Sequence, residues 1–365
     1  MHFRRVLLNT VAAGLLFPEL ATFGRAQAPA NATAQVLTPE VDAFIDGILS
    51  DWNTAGGAGV AVVRMDANGE WQIETKGYGK AKADGSNVTA DTLFSIGSNS
   101  KLFTVLAAGL LVSNESLSPR ISWNTKIASV IPEWELIDPL ASNGSTIVDL
   151  MSHRTGLPRH DLMFKLTDSV SDVIKRLRFL RSSTEFRQTW QYSNIMYGVL
   201  SHLPTALLPG QPLLSQYAQE HIFDPLGMNS TTYSFDIASA TGLLADGFGR
   251  QAVNAIDPLD GGIPHALPFW APNSTVSQGA GGIISNAKDM ATWLQALLLN
   301  GRNPQTNVSV IPAGVIDMAA TGITVMTGKA PAPYLSPQVY GGGQWQDSYR
   351  GHVLVEVSIA LVYFC

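Results

Sequence analysis

Cysteine is almost absent from this chain. The 365 residues hold one, Cys365, at the last position. That excludes a disulfide framework and a cysteine-based metal site, so the fold rests on its core. Charge is scarce too, at 14% of residues against 45% hydrophobic, a balance that rules out a disordered chain. Net charge is −6 and Lys/Arg nowhere cluster, so nothing marks a nucleic-acid or membrane-surface face. No apolar run reaches the ~20 residues a bilayer span needs. No His-x-x-x-His pair or Asp cluster has metal-ligand spacing, and no cofactor motif, repeat or low-complexity tract occurs. Nothing specifies an oligomeric state.

The N-terminus has the form of a processing segment. His2-Phe3-Arg4-Arg5 is basic, Val6 to Phe17 is mostly apolar, and Pro18-Glu19 ends the run. Gly24-Arg25-Ala26 offers a cleavage site, so 1–26 is read as a signal peptide and 27–36 as a flexible leader. Sequons at Asn31, Asn87, Asn114, Asn143, Asn229, Asn273 and Asn307 agree with a secreted glycoprotein. The expected location is extracellular, with no membrane association after cleavage.

Periodicity supplies the elements. Pro39 to Asp51 reads as a helix with Val41, Phe44, Ile45 and Ile48 at helical spacing and Thr38 as N-cap. Residues 59–78 read as a hairpin turning at Asp66-Ala67-Asn68-Gly69. Leu102 to Val112 is apolar nearly all round, as a buried helix is. Ser171 to Leu180, Leu213 to Ile222 and Ala287 to Leu299 also read as helices, the last capped by Asn286 with Asp289 three residues on. Pro258 to Pro272 reads as a Gly/Pro-rich loop.

Two short constellations carry chemistry. Ser98 and Lys101 form Ser-x-x-Lys at the entry to the apolar helix. Positions i and i+3 share a helix face, so the amine lies beside the hydroxyl. Serine needs a neighbouring base, and a lysine in an apolar pocket favours its neutral form. The helix start also points N–H groups at a developing oxyanion. The bland alternative is a solvated lysine on a capped helix. Against it, Lys101 is the only charged residue between Asp91 and Glu115. The second constellation is Tyr192-Ser193-Asn194; extended backbone puts its phenol and carboxamide on one side, though alone it reads equally as a core Tyr and a turn Asn. No Gly-x-Ser-x-Gly elbow surrounds Ser98, which counts against an α/β-hydrolase. His153 has no carboxylate at triad spacing, so a Ser-His mechanism is disfavoured.

Together these motifs resemble the penicillin-recognising serine hydrolases: class C β-lactamases, D-Ala-D-Ala carboxypeptidases, D-aminopeptidases and related esterases. Phe94 to Lys101 is similar to the family's nucleophile block and Leu150 to Pro158 to a structural loop. Phe223 to Met228 and Gly279 to Ser285 are similar to two further blocks. The resemblance runs from about Val41 to Glu356, and the Ser-His-Arg-Thr-Gly-Leu-Pro wording points to a fungal source. It implies Ser98 as the acyl-forming nucleophile, Lys101 as its base or as tuner of that base, and Tyr192 as base and as acid to the leaving group. Asn194 would hold a substrate amide, and the Ser98 N–H would be half of the oxyanion hole. The substrate is a small-molecule amide or ester, with no cofactor.

The implied fold is α/β (α+β): an antiparallel sheet flanked by helices, with an inserted, mostly helical region. Residues 37–94 and 276–356 form the α/β domain, and 95–275 are the insertion. The family's third element, a Lys/His-Ser/Thr-Gly or His-Gly-Gly triplet, is expected just after Glu356. The chain instead reads Val357-Ser358-Ile359-Ala360-Leu361-Val362-Tyr363-Phe364-Cys365. Val-Ser is encodable as a splice-donor sequence, so 357–365 are read as an aberrant, translated-intron tail and the sheet as incomplete. The expectation is a serine hydrolase of weak or lost activity. The alternatives are a non-catalytic binding relative and a non-functional read-through product.

Overall fold

The computed structural model describes residues 35–66, 68–253 and 261–356. The stretch read as a signal peptide (1–26), most of the one read as a leader (27–36), Asn31 and residues 357–365 lie outside them. Helix α1 (Pro39–Asp51) starts where Thr38 accepts the Val41 N–H and proline occupies the first turn. Its stripe divides: Val41 and Ile45 are half-buried, whereas Phe44 and Ile48 are exposed. Asp42 fastens α1 to the neighbouring hairpin, accepting from Lys76 Nζ and Tyr78 Oη at 2.6 Å each.

Strands β1 (Gly57–Met65) and β2 (Trp71–Gly79) pair antiparallel from Gly57↔Gly79 to Met65↔Trp71. Gly69 takes the left-handed conformation in the turn (φ +87°), where Asp66 accepts the Asn68 and Glu70 N–H groups. The short β3 (Phe94–Ser95) leads into helix α2 (Ser100–Ser113), the axis of the core. Lys101 to Gly109 and Leu111 are all buried. Phe103 packs on Trp293 and Phe223 with ring centroids 4.5 and 5.5 Å away. Burying each such side chain contributes about 1.5–3 kcal/mol, which holds a helix with almost no polar face in place.

Strands β4 (Gly247–Val253) and β5 (Gly261–Leu267) form a hairpin, so part of the Gly/Pro-rich stretch read as loop is a strand. Gly and Pro hide the signal there, and tertiary pairing overrides them. The expected helix at 213–222 is helical from Leu214 to Leu226, with a π-helical turn at Gln219–Phe223. The one expected at 171–180 spans Val170–Arg176 plus a 3₁₀ turn, Leu177–Phe179. The helix Ala287–Leu298 is capped by Asn286, which accepts the Asp289 N–H at 2.9 Å. The Asp289 carboxylate turns to Ser230 and Thr231 instead of completing a box.

Strand β6 (Ile284–Ser285) pairs with β3. Strands β7 (Thr324–Thr327), β8 (Gln338–Tyr340), β9 (Trp345–Tyr349) and β10 (His352–Glu356) form an antiparallel sheet ordered β10-β9-β8-β7. The fold is thus mixed α/β with antiparallel sheets. Among the described residues the β1–β2 hairpin is a sheet of its own, with no ladder to β10. No helix among them is long and apolar enough to cross a membrane.

Candidate active site

Ser98 sits in the 3₁₀ turn Gly97–Asn99 that opens into α2. The turn is clamped from the β6 side. The Ile96 N–H donates to the Ile283 carbonyl at 2.9 Å, and the Ile283 N–H donates to Ser100 Oγ at 3.0 Å. One turn on, Thr104 Oγ1 donates to the Gly279 carbonyl at 2.8 Å. The Gly279–Ser285 block therefore seats the nucleophile turn, and Gly279 must be glycine because a Cβ would stand 2.1 Å from the Tyr197 carbonyl oxygen. From the far side comes the turn joining β8 and β9. Gly343 has φ +82°, and a Cβ there would lie 3.0 Å from the Leu102 nitrogen.

Lys101 is 1% exposed. Its Nζ lies 3.1 Å from Ser98 Oγ and donates to the Ala280 carbonyl at 2.8 Å. Burial drives its pKa well below the ordinary lysine value; nearby Arg159 adds to the effect and Asp161 opposes it. The amine is thereby biased toward its neutral form. Tyr192 Oη is 2.7 Å from Ser98 Oγ. Burial raises the phenol above its usual range, against the pull of the Ser98 hydrogen bond and Arg159. Ser98 Oγ therefore stands between an amine that favours losing its proton and a phenol that favours keeping one.

Tyr192 is held through His153. The Gln191 N–H donates to the His153 carbonyl at 2.7 Å and the Ser193 N–H to His153 Nδ1 at 3.2 Å. Nδ1 is the acceptor, so the ring proton is on Nε2, which has no hydrogen-bond partner among the described residues. The imidazole is fully buried among Trp190, Tyr192, Tyr197 and Tyr340, with centroids 4.6 to 6.0 Å away. Burial first, then Lys101 and Arg159, hold it well below its ordinary pKa.

Ser193, between Tyr192 and Asn194, is extended (φ −141°, ψ 111°) and is the N-cap of the helix Asn194–Ser201, of which Asn194 is the first residue. Asn194 Nδ2 donates to Asp161 Oδ1 and Oδ2 at 3.3 and 3.2 Å.

Sequence reasoning passed over Asp149, Arg154, Arg187, Arg159 and Asp161. Asp149 is fully buried and accepts from Arg154 Nε (2.6 Å), Arg187 Nε and Nη2 (2.8 Å each) and Thr146 Oγ1 (2.7 Å), tying the His153 loop to the approach to Tyr192. Its one local signal is Thr-x-x-Asp at 146–149, a capping box. A cleft of about 470 Å³ lined by Trp52, Lys80, Phe94, Asp246, Phe248 and Arg250 includes none of Ser98, Lys101, Tyr192 or Asn194. No His/Cys/Asp/Glu group among the described residues is arranged to hold a metal ion. Of the sequon asparagines described, Asn114 is half-buried and Asn87, Asn143, Asn229, Asn273 and Asn307 are exposed.

A serine hydroxyl within reach of a buried lysine amine and a tyrosine phenol is the arrangement of a serine acyl-transfer hydrolase. The Beta-lactamase family profile matches residues 42–335, and the chain belongs to that family of penicillin-recognising serine hydrolases. It is 34% identical over 304 residues to the unguisins hydrolase of Aspergillus campestris, covering 81% of this chain and 53% of that protein. It is 32% identical over 312 residues to the unguisins hydrolase of Aspergillus violaceofuscus, covering 80% and 52%. The chain thus spans about half the length of these curated relatives. The D-amino acid amidase of Ochrobactrum anthropi shares the fold, with TM-score 0.63 at 22% identity over 87% of this chain and 83% of that one.

Proposed function

We propose that the protein is a secreted serine hydrolase that cleaves a small-molecule amide or ester through an acyl-Ser98 intermediate. The observation that carries this is Ser98 Oγ lying 3.1 Å from a buried Lys101 amine and 2.7 Å from the Tyr192 phenol. Lys101 accepts the Ser98 proton as Oγ bonds to the carbonyl carbon. Tyr192 gives its phenolic proton to the leaving nitrogen or oxygen as that bond breaks, and Lys101 returns its proton to Tyr192. Water then attacks the acyl ester with the same groups in reverse, freeing the acid and Ser98. The Ser98 N–H at the head of α2 supplies one oxyanion donor, and Asn194 holds a substrate amide. An amide is favoured over an ester by the amidase among the fold neighbours. The leader sequence and the exposed sequons support secretion with glycosylation.

The test is labelling by a fluorescent fluorophosphonate of the chain and its Ser98→Ala variant. Labelling that requires Ser98 supports the reading. Folded proteins that never label leave a non-catalytic binding relative in its place.

A further inference from the structure

Two charged residues at the rim of the site take no part in the acyl-transfer steps, Arg159 and Asp161. Arg159 Nε donates to Asp161 Oδ2 at 2.9 Å. The carboxylate also accepts from Asn194 Nδ2, which fixes it against the helix that follows Tyr192. The Arg159 guanidinium lies 5.3 Å from the centre of the Tyr192 ring. Lys101 Nζ lies 4.8 Å from the same centre and 3.1 Å from Ser98 Oγ. The ion pair is thus held beside the groups that exchange protons, with its positive end at the phenol.

Both half-reactions pass through the same separation of charge. In acylation Lys101 holds the Ser98 proton while Tyr192 gives its own to the leaving atom. In deacylation Tyr192 passes its proton to Lys101 and takes one from water. Each time a phenolate stands beside an ammonium, and fixed charges of the right sign near each lower the cost of that state. Burial dominates at both groups, but the neighbouring charges rank differently. At Lys101 Asp161, which favours the ammonium, outweighs Arg159. At Tyr192 Arg159, which favours the phenolate, outweighs Asp161. Of the other titratable groups packed there, burial keeps His153 unprotonated at Nδ1 and keeps the protons on Tyr197 and Tyr340, so all three are uncharged. His160, between the two charged residues, faces the Arg181 carbonyl at 3.2 Å.

We propose that Arg159 and Asp161 are positioning residues for protons: the oriented ion pair polarises the Ser98–Lys101–Tyr192 relay toward an anionic phenol and a cationic amine. The role rests on the acyl-Ser98 reading and acts through Lys101 and Tyr192. Because Arg159 is 64% and Asp161 31% exposed, solvent screens the pair, and its effect is modest and sensitive to salt.

The Lys101 end is read by the rate of fluorophosphonate labelling from pH 5 to 10 at low salt. The whole chain is compared with Asp161→Asn, Arg159→Gln and Arg159→Lys, with Ser98→Ala as the control. Labelling needs a neutral Lys101, so its rate rises as pH passes the Lys101 pKa. Asp161→Asn removes the charge that favours the ammonium, and the midpoint is expected to fall by about half a pH unit, or about threefold in rate on the rising limb. Arg159→Gln is expected to raise the midpoint by a smaller amount, and Arg159→Lys to keep it. In 1 M salt, where the screening length is about 3 Å, the displacements are expected to shrink. His160 is common to every form and drops out of these differences. The Tyr192 end is read by the ratio of kcat/KM for p-nitrophenyl acetate over phenyl acetate, whose leaving group needs the proton more. Arg159→Gln is expected to raise that ratio about threefold. A role confined to holding the loop would lower every rate and move neither the midpoint nor the ratio. A pH-independent rate, midpoints unmoved in both folded variants, or midpoints moved in the same direction overturn the proposal, while Ser98-dependent labelling still stands. An unchanged ester ratio, or hydrolysis of neither ester, overturns its Tyr192 end. No labelling at any pH overturns the acyl-Ser98 reading and the relay role with it.

Discussion

Replacing Lys101 by methionine separates the two effects that a buried amine has on this protein. Methionine matches the aliphatic stem closely enough to fill the same space. It removes the Ser98 base, which is expected to slow fluorophosphonate labelling by about 10²- to 10⁴-fold. It also leaves the Ala280 carbonyl without the Lys101 donor, costing about 1–3 kcal/mol. The diagnostic quantity is the pH dependence. Burial holds the folded-state pKa of Lys101 well below the ordinary 10.5. Between those two values the unfolded chain carries one more proton than the folded one. Wild-type stability therefore falls as pH drops from the ordinary lysine value toward the depressed one, by at most about 1.4 kcal/mol per pH unit. The Lys101→Met variant lacks this component. Urea midpoints measured from pH 6 to 9 should show wild type gaining on the variant as pH rises. Parallel profiles would mean that Lys101 keeps its proton in the fold, and labelling within tenfold of wild type would remove it as the base.

Asp149→Ala is expected to cost about 3 kcal/mol, because it strips a buried carboxylate from two arginines and loosens the loop that carries His153; a loss under about 1 kcal/mol by urea unfolding would refute that tie. Burial alone raises the Asp149 carboxyl, but hydrogen bonds from Arg187 and Thr146 bring it below the ordinary value of 3.8, so its contribution is present above that value and lost as pH falls through the folded-state value. His153 is held below 6.5, so the unfolded chain takes up a proton that the folded one refuses and stability drops as pH falls from about 6.5. His153→Gln keeps an acceptor for the Ser193 N–H and should flatten the wild-type loss between pH 7 and 5; equal losses in the two proteins would count against a neutral His153.

Local signals made some elements legible and left others hidden. Thr38-Pro39 and Asn286 mark helix starts by cap chemistry written in adjacent residues, and α1 begins and ends at the residues expected from it. Asn68-Gly69 marks the first hairpin in the same way. Strand β5 carries Gly261, Gly262 and Pro264, residues that announce loops, and what makes it a strand is its ladder with β4, from Gly247↔Leu267 to Val253↔Gly261. Ser98 and Lys101 were readable because i, i+3 spacing on a helix is itself geometry. The Tyr192–Asn194 spacing showed neither partner, because Tyr192 meets Ser98 and Asn194 meets Asp161 only through long-range contacts. Asp161 and Asp149 left little trace, since what makes them matter is a contact 33 residues away in one case and 38 in the other.

The same long range governs how the site is made. The Ser98–Tyr192 hydrogen bond joins positions 94 apart, and Lys101–Ala280 joins positions 179 apart. Contacts of such separation close late and are lost when specific packing loosens, whereas helices such as α2 persist in compact, loosely packed states. A preparation can therefore keep its far-UV helical signal while its serine is chemically silent. For this protein, labelling at Ser98 is the stricter assay of native structure, and total protein or circular dichroism overstates the competent fraction.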